Sequence, residues 1–274
     1  MVGEKQSSHV VSVDTLRENS PRMNPILVAL DVESAARAIE LADELRGAVG
    51  GYKIGKQLFT AAGPAMVREL TSRGDRVFLD LKFHDIPNTV AGAVEAAVAT
   101  GAWMVNVHAS GGSAMMKAAA DAAAQKAAAL GRPRPLVIAV TVLTSLTEAG
   151  LAEIGIARPL LEHVVHLAKL AKAAGLDGVV ASPQETRAIR DACGDAFQIV
   201  TPGIRPHPTT LNTRGGDPGP PNERNNQLGK DDQARTLTPA EAMSAGATYL
   251  VIGRPITAAS NPRQAAEHIA ATLP

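Results

Sequence analysis

Eight short apolar, β-rich runs recur along this chain, and a helical stretch follows each of them. The runs are ILVALDV (26–32), GYKIGK (51–56), RVFLDLK (76–82) and WMVNVHA (103–109), then PLVIAVTVL (135–143), DGVVA (177–181), QIVTPGI (198–204) and TYLVIG (248–253). Helical patterns, most of them Ala-rich, occupy 34–48, 64–73, 90–100, 113–129, 159–174, 183–192, 239–245 and 261–273. Parallel strands need a crossover long enough to return the chain to the same edge, and a helix supplies it. Glycines near the helix ends (Gly47, Gly74, Gly101, Gly131, Gly175, Gly246) mark each return to the sheet. Eight such units predict an α/β fold, a closed (β/α)8 or TIM barrel in a single domain. An open doubly wound sheet is the alternative, but no GxGxxG follows the first strand.

Length and composition agree with one large unit. The chain has 274 residues, 45% of them hydrophobic, enough to bury a core without a disulfide or metal staple. Cys193 is the single cysteine, so no intramolecular disulfide can form, which fits a reducing cytoplasm. Lys plus Arg and Asp plus Glu both number 27, a balance that points to neither a nucleic-acid nor an anionic-membrane partner. Residues 1–24 are polar and mixed in charge and lack the apolar centre of a signal peptide. They read as an N-terminal extension on a catalytic domain spanning 25–274, and the protein reads as cytoplasmic. Residues 206–236 interrupt the rhythm with a Pro-, Gly- and Asn-rich stretch that has no apolar periodicity. Following strand 7, on the face where barrel enzymes carry their sites, this stretch is expected to be a long lid loop.

The most informative segment is RVFLDLKFHDIPNTV, at 76–90. Strand parity places Val77, Leu79 and Leu81 on one face and Phe78, Asp80 and Lys82 on the other. The apolar face suits the helix layer, so Asp80 and Lys82 point inward at the strand's C-terminal end, the catalytic rim of a barrel. Lys53 alternates with Tyr52 and Ile54, and Asp31 follows Leu27 and Ala29 inward on strand 1. A structural salt bridge such as Lys53–Asp80 accounts equally well for Asp-x-Lys taken alone, since buried charges must be paired. Four charged residues gathered at the ends of strands 1–3 favour a functional site.

DLKFHDIPNT closely resembles the signature of the orotidine 5'-phosphate decarboxylase family, in its longer-chain bacterial type. The resemblance runs over 25–273 through LVALDV, YKIGKQLF, VNVHASGG, AVTVLTS, ASPQE, TPGIRP and VIGRPI, in order and each at or just after a strand end. It implies decarboxylation of orotidine 5'-monophosphate (OMP) to UMP in pyrimidine biosynthesis, with neither cofactor nor metal. Lys82 matches the family's proton donor, and Asp80 and Lys53 match its neighbours in an alternating charge array. Asp85 matches a residue contributed by the other subunit of a homodimer, with Ile86 and Thr89 beside it. Asp31 matches a ribose contact that Lys53 shares. Thr144 and Ser145 fit the pyrimidine pocket, although capping of the following turn explains such a pair equally well without the family match. Gly253, Arg254, Arg205 and Gln233 match the phosphate and lid contacts. Two alternatives stay open on the residues alone. One is a related sugar-phosphate decarboxylase or epimerase barrel, and the other a non-catalytic nucleotide-binding barrel.

The remaining candidates are read as structural. His108 points inward by parity, His84 is expected to face away from Lys82, and Trp103 and Cys193 look like packing residues. His163 and His166 share a helix, but i, i+3 spacing without a third ligand is a weak metal signal.

Overall fold

The computed structural model describes residues 24–205 and 236–274. Except for Asn24, the expected N-terminal extension lies outside these residues, as does the expected lid loop except for position 236. Eight parallel strands close into a barrel in sequence order. They are β1 (Ile26–Ala29), β2 (Gly51–Gly55), β3 (Val77–Phe83), β4 (Met104–His108), β5 (Leu136–Val140), β6 (Gly178–Val180), β7 (Gln198–Thr201) and β8 (Tyr249–Ile252). Closure is direct, with Leu27 of β1 in register with Val251 of β8. Around it run α1 (Ala35–Leu45), α2 (Lys56–Ser72), α3 (Pro87–Ala99), α4 (Gly112–Ala129), α5 (Glu148–Glu153), α6 (Leu160–Ala173), α7 (Thr186–Cys193), α8 (Pro239–Ser244), α9 (Arg254–Thr257) and α10 (Pro262–Ala271).

Alternation along each strand divides the core in two. Val28, Ile54, Leu79, Val105, Ala139, Val179, Ile199 and Leu250 belong to the larger cluster between strands and helices. Leu27, Ala29, Phe78, Met104, Ile138, Val200, Tyr249 and Val251 fill the barrel's interior. Each of the larger aliphatic or aromatic side chains contributes roughly 2 kcal/mol by leaving water, and slipping a strand by one residue would exchange its two faces. The N-terminal mouth is plugged by Trp103, whose ring meets Tyr249 edge-on at 5.2 Å while the Arg76 guanidinium lies 5.5 Å from the Trp103 ring centre. At the same end Arg190 donates to the carbonyls of Gly194, Asp195, Phe197 and Gly246, tying α7 to the chain entering β7 and β8. Access to the interior is therefore from the C-terminal ends of the strands.

Several boundaries differ from the sequence expectation. β5 stops at Val140 and β7 at Thr201, although their apolar runs continue to 143 and 204. Val142 and Ile204 are buried in rim loops rather than paired in the ladder, so their apolarity reports burial and not strand. α2 begins at Lys56 and bends at Gly63, whose φ of 66° is left-handed, so the expected start at Pro64 is that of its second half. α3 starts at Pro87, where a missing N–H costs nothing in the first turn. α5 and α9, one or two turns each, were not anticipated. Both are too short for a 3.6-residue periodicity to register. Among the described residues no helix is long and apolar enough to cross a membrane.

Candidate active site

A cavity of about 660 Å³ opens at the C-terminal ends of the strands. Asp31, Lys53, Asp80 and Lys82 line it together, as parity implied. The Lys53 ammonium lies 3.0 Å from Asp31 Oδ1 and 3.5 Å from Asp80 Oδ2, and Lys82 Nζ donates to Asp80 Oδ1 at 2.6 Å. The four charges thus alternate in sign along a line from β1 to β3. Lys53 and Asp80 are each only 8% exposed, and an unpaired charge so deep would be strongly destabilising. Burial alone would raise the Asp80 carboxyl. Lys53 and Lys82, with hydrogen bonds from Lys82 and Asn106, more than offset that and hold it below the usual carboxylate range.

β3 reaches this geometry by leaving its regular pairing. Leu79 is in register with Val105 and Phe83 with Val107, so four steps on β3 span two on β4. Lys82 sits in this irregularity with φ of 54°, the one non-glycine residue among those described with a positive φ. A left-handed lysine costs about 1–2 kcal/mol and persists only where its surroundings enforce it. Its backbone N–H donates to Asn106 Oδ1 at 2.7 Å, and Asn106 Nδ2 donates to Asp80 Oδ1 at 2.7 Å. Asn106 is fully buried on β4. The sequence reading passed over it. The available signal was a polar residue at inward parity, between Met104 and His108, inside an otherwise apolar strand. Buried carboxamides have partners, and here both partners belong to the charged strand.

His108, two residues further on, is pushed down to about 4, first by burial and then by His84, Lys56 and Lys82 nearby, so its ring is neutral at neutral pH. His84 is exposed, its ring centre 5.5 Å from that of His108.

The rest of the expected set divides. Thr144 and Ser145 line the cavity beyond β5, and the hydroxyl that caps α5 is that of Thr147, accepting from the Gly150 N–H. Gly253, Arg254 and Arg205 also line the cavity, beyond β8 and β7. Arg205 is anchored where its N–H donates to the Leu237 carbonyl, beside a bridge pairing Ile204 with Leu237. The two chain ends flanking 206–235 therefore meet at the same side of the mouth as Arg254. Gln57 and Thr257 contribute polar side chains that the sequence reading did not single out. Gln233 lies outside the described residues. Asp85, Ile86 and Thr89 are exposed between β3 and the first turn of α3, and none of them lines the cavity of its own chain. Asp85 Oδ1 accepts from the Ile86 N–H at 2.6 Å, and Ile86 is 66% exposed.

Comparison with known proteins places this geometry in context. Residues 24–269 match the model of the orotidine 5'-phosphate decarboxylase / HUMPS family. The chain is 56% identical over 249 residues to an orotidine 5'-phosphate decarboxylase of Moorella thermoacetica, covering 90% of this chain and 91% of that one. It is 49% identical over 251 residues to one of Paramagnetospirillum magneticum, covering 92% and 99%. The crystal structure of orotidine 5'-phosphate decarboxylase from Lactobacillus acidophilus superposes with a TM-score of 0.75 at 36% identity, covering 91% of this chain and 98% of that one.

Proposed function

The chain belongs to the orotidine 5'-phosphate decarboxylase / HUMPS family, and from that premise we propose how its residues carry out the reaction. The protein decarboxylates OMP to UMP, a step of pyrimidine biosynthesis. The observation that carries the assignment of roles is the Asp31–Lys53–Asp80–Lys82 array at the open end of the barrel.

Loss of CO2 breaks the bond to C6 and leaves its electron pair on C6, where no neighbouring π system accepts it. Fixed positive charge beside C6 is what lowers this barrier, and a proton source at the same place completes the reaction. The Lys82 ammonium supplies both, donating its proton to C6 to give UMP and recovering one from solvent. Asp80 holds that ammonium in place through the 2.6 Å hydrogen bond. Lys53 and Asp31, at the β1–β2 side of the array, take the ribose hydroxyls. Thr144 and Ser145 face the pyrimidine ring, with Ser145 offering its hydroxyl to the ring amide groups. Arg254 and Arg205 hold the phosphate, with Gln233 reaching it from the far end of the loop. The phosphate is remote from C6, so its binding energy serves to position the ring and not to react. The functional unit is a homodimer in which Asp85, Ile86 and Thr89 of one subunit complete the other's site. Their exposure, and their absence from their own chain's cavity, support this reading.

No cofactor enters this scheme. Protein stripped of metal with a strong chelator is expected to convert OMP to UMP at an unchanged rate, followed by the absorbance change of the pyrimidine. Loss of turnover that returns with added metal would refute the scheme. The phosphate assignment has its own measurement. Charge-assisted hydrogen bonds contribute about 1.5–3 kcal/mol each, so Arg254→Ala is expected to weaken UMP binding by ~10²-fold. Uridine lacks the group that Arg254 holds, and its affinity is expected to change by less than about threefold. Equal losses for the two ligands, measured by calorimetry, would move Arg254 out of the phosphate site.

A further inference from the structure

We propose that Asn106 is a positioning residue for the decarboxylation, one that fixes the Lys82 ammonium by bracing the lysine at its backbone while orienting the carboxylate that holds its head. The inference rests on the role of Lys82 given above. Three hydrogen bonds form a closed ring. The Lys82 N–H donates to Asn106 Oδ1, Asn106 Nδ2 donates to Asp80 Oδ1, and Lys82 Nζ donates to that same oxygen. Because β3 and β4 are out of register between Leu79 and Phe83, the carboxamide supplies an acceptor to a Lys82 N–H that lies in the interrupted stretch of the ladder. A carboxamide can do both jobs at any pH, since it carries one acceptor and one donor group on a single rigid plane. The amide orientation is also settled by chemistry. Only the oxygen can receive an N–H, which turns the NH2 towards the carboxylate.

Two consequences follow for catalysis. The left-handed backbone of Lys82 is held from outside its own strand, so the lysine's stem starts from a defined direction. Asp80 Oδ1 accepts two donors while Oδ2 faces Lys53, which leaves the carboxylate little freedom to rotate. Asn106 touches neither the cavity nor the proposed position of the substrate, and it acts only through Lys82 and Asp80.

Two substitutions in the full-length protein test this. Asn106→Ala removes both hydrogen bonds. A misplacement of about 1 Å in a reacting group costs ~10²-fold in rate, so kcat is expected to fall by about that factor. KM for OMP and affinity for UMP are expected to stay within about threefold, because the phosphate and ribose contacts are untouched. Asn106→Asp keeps the shape and the acceptor for the Lys82 N–H but puts a carboxylate oxygen against Asp80 Oδ1. Two carboxylates at that distance share one proton, and in the protonated pair an O–H replaces the amide donor. Activity of Asn106→Asp is therefore expected to rise as pH falls below neutral, relative to wild type measured alongside. The charged or titratable groups around Asp80 are Lys53 on β2, Lys82 on β3, His108 on β4, and Asp31 reached through Lys53. All are common to both proteins, so the difference between the two pH profiles isolates position 106.

A folded Asn106→Ala protein with kcat within threefold of wild type overturns the proposal. So does an Asn106→Asp profile parallel to that of wild type, which also decides the question if Asn106→Ala does not fold. Lys82→Ala serves as the control. If it is inactive while the position-106 variants behave as wild type, only the inference about Asn106 fails. If it retains turnover, the role of Lys82 itself fails.

Discussion

Turnover of OMP by the Lys82→Ala protein is expected to fall by ~10⁴-fold or more. Removing an electrostatic stabiliser of the transition state costs about 10²–10³-fold and removing a general acid about 10²–10⁴-fold, and the Lys82 ammonium is proposed to supply both effects. Binding should be largely spared. The residues proposed to hold the phosphate and ribose, Arg254, Arg205, Asp31 and Lys53, lie outside β3, so UMP affinity is expected to remain within about tenfold of wild type. The fold should also persist, because Asp80 keeps Lys53 at 3.5 Å and Asn106 at 2.7 Å when the Lys82 head is gone. Single-turnover kinetics on protein shown to be folded and UMP-competent makes the measurement. A kcat near wild type would remove Lys82 from the chemistry, and with it the assignment of the array.

The second large effect is a recovery. On the proposed roles, Asp85→Ala and Lys82→Ala homodimers are each expected to be nearly inactive, one for want of a carboxylate proposed to reach the partner's site and the other for want of the proposed proton donor. In a mixed dimer with a two-fold interface, one site collects both lesions and the other carries none. Random exchange makes half of all dimers mixed, each with one working site of two, so about a quarter of wild-type activity should return. The structural motive is the position of Asp85, three residues beyond Lys82 where β3 has ended, together with the exposed Ile86 beside it. An apolar side chain so open next to a charged one is consistent with a surface covered by another copy. Exchange proven by a size or label assay, with no recovery of activity, would make Asp85 a residue of its own subunit and remove the reason for an obligatory dimer.

The boundary between what could be read in the chain and what could not follows the range of the interactions concerned. Strand parity is local. It placed Leu79 outward and Asp80 and Lys82 inward before any neighbour was known, and it brought Asp31 and Lys53 to the same rim. The same parity applied to Asn106, but an uncharged residue in an apolar strand raised no question about its partners. Its two hydrogen bonds reach 24 and 26 residues back along the chain, to Lys82 and Asp80, and depend on the register of β4 against β3. The irregularity in that register leaves no composition signal, and Lys82 is not a residue type that announces a left-handed backbone. Thr147 shows the same limit at shorter range. Thr144, Ser145 and Thr147 offer similar hydroxyls, and which one caps α5 depends on where that short helix starts.

By itself the sequence determined the barrel, the inward faces of β1 to β4 and the identity of the four charges at its mouth. These follow from period-two and period-3.6 patterns and from the cost of burying an unpaired charge, which act within a few residues. Only the tertiary structure decided how those charges pair, that Asn106 joins Asp80 to the Lys82 backbone, and that Asp85 does not line its own chain's cavity. Each of these is a distance between strands or loops far apart in the chain, set by closure of the barrel and by the relative slip of β3 and β4.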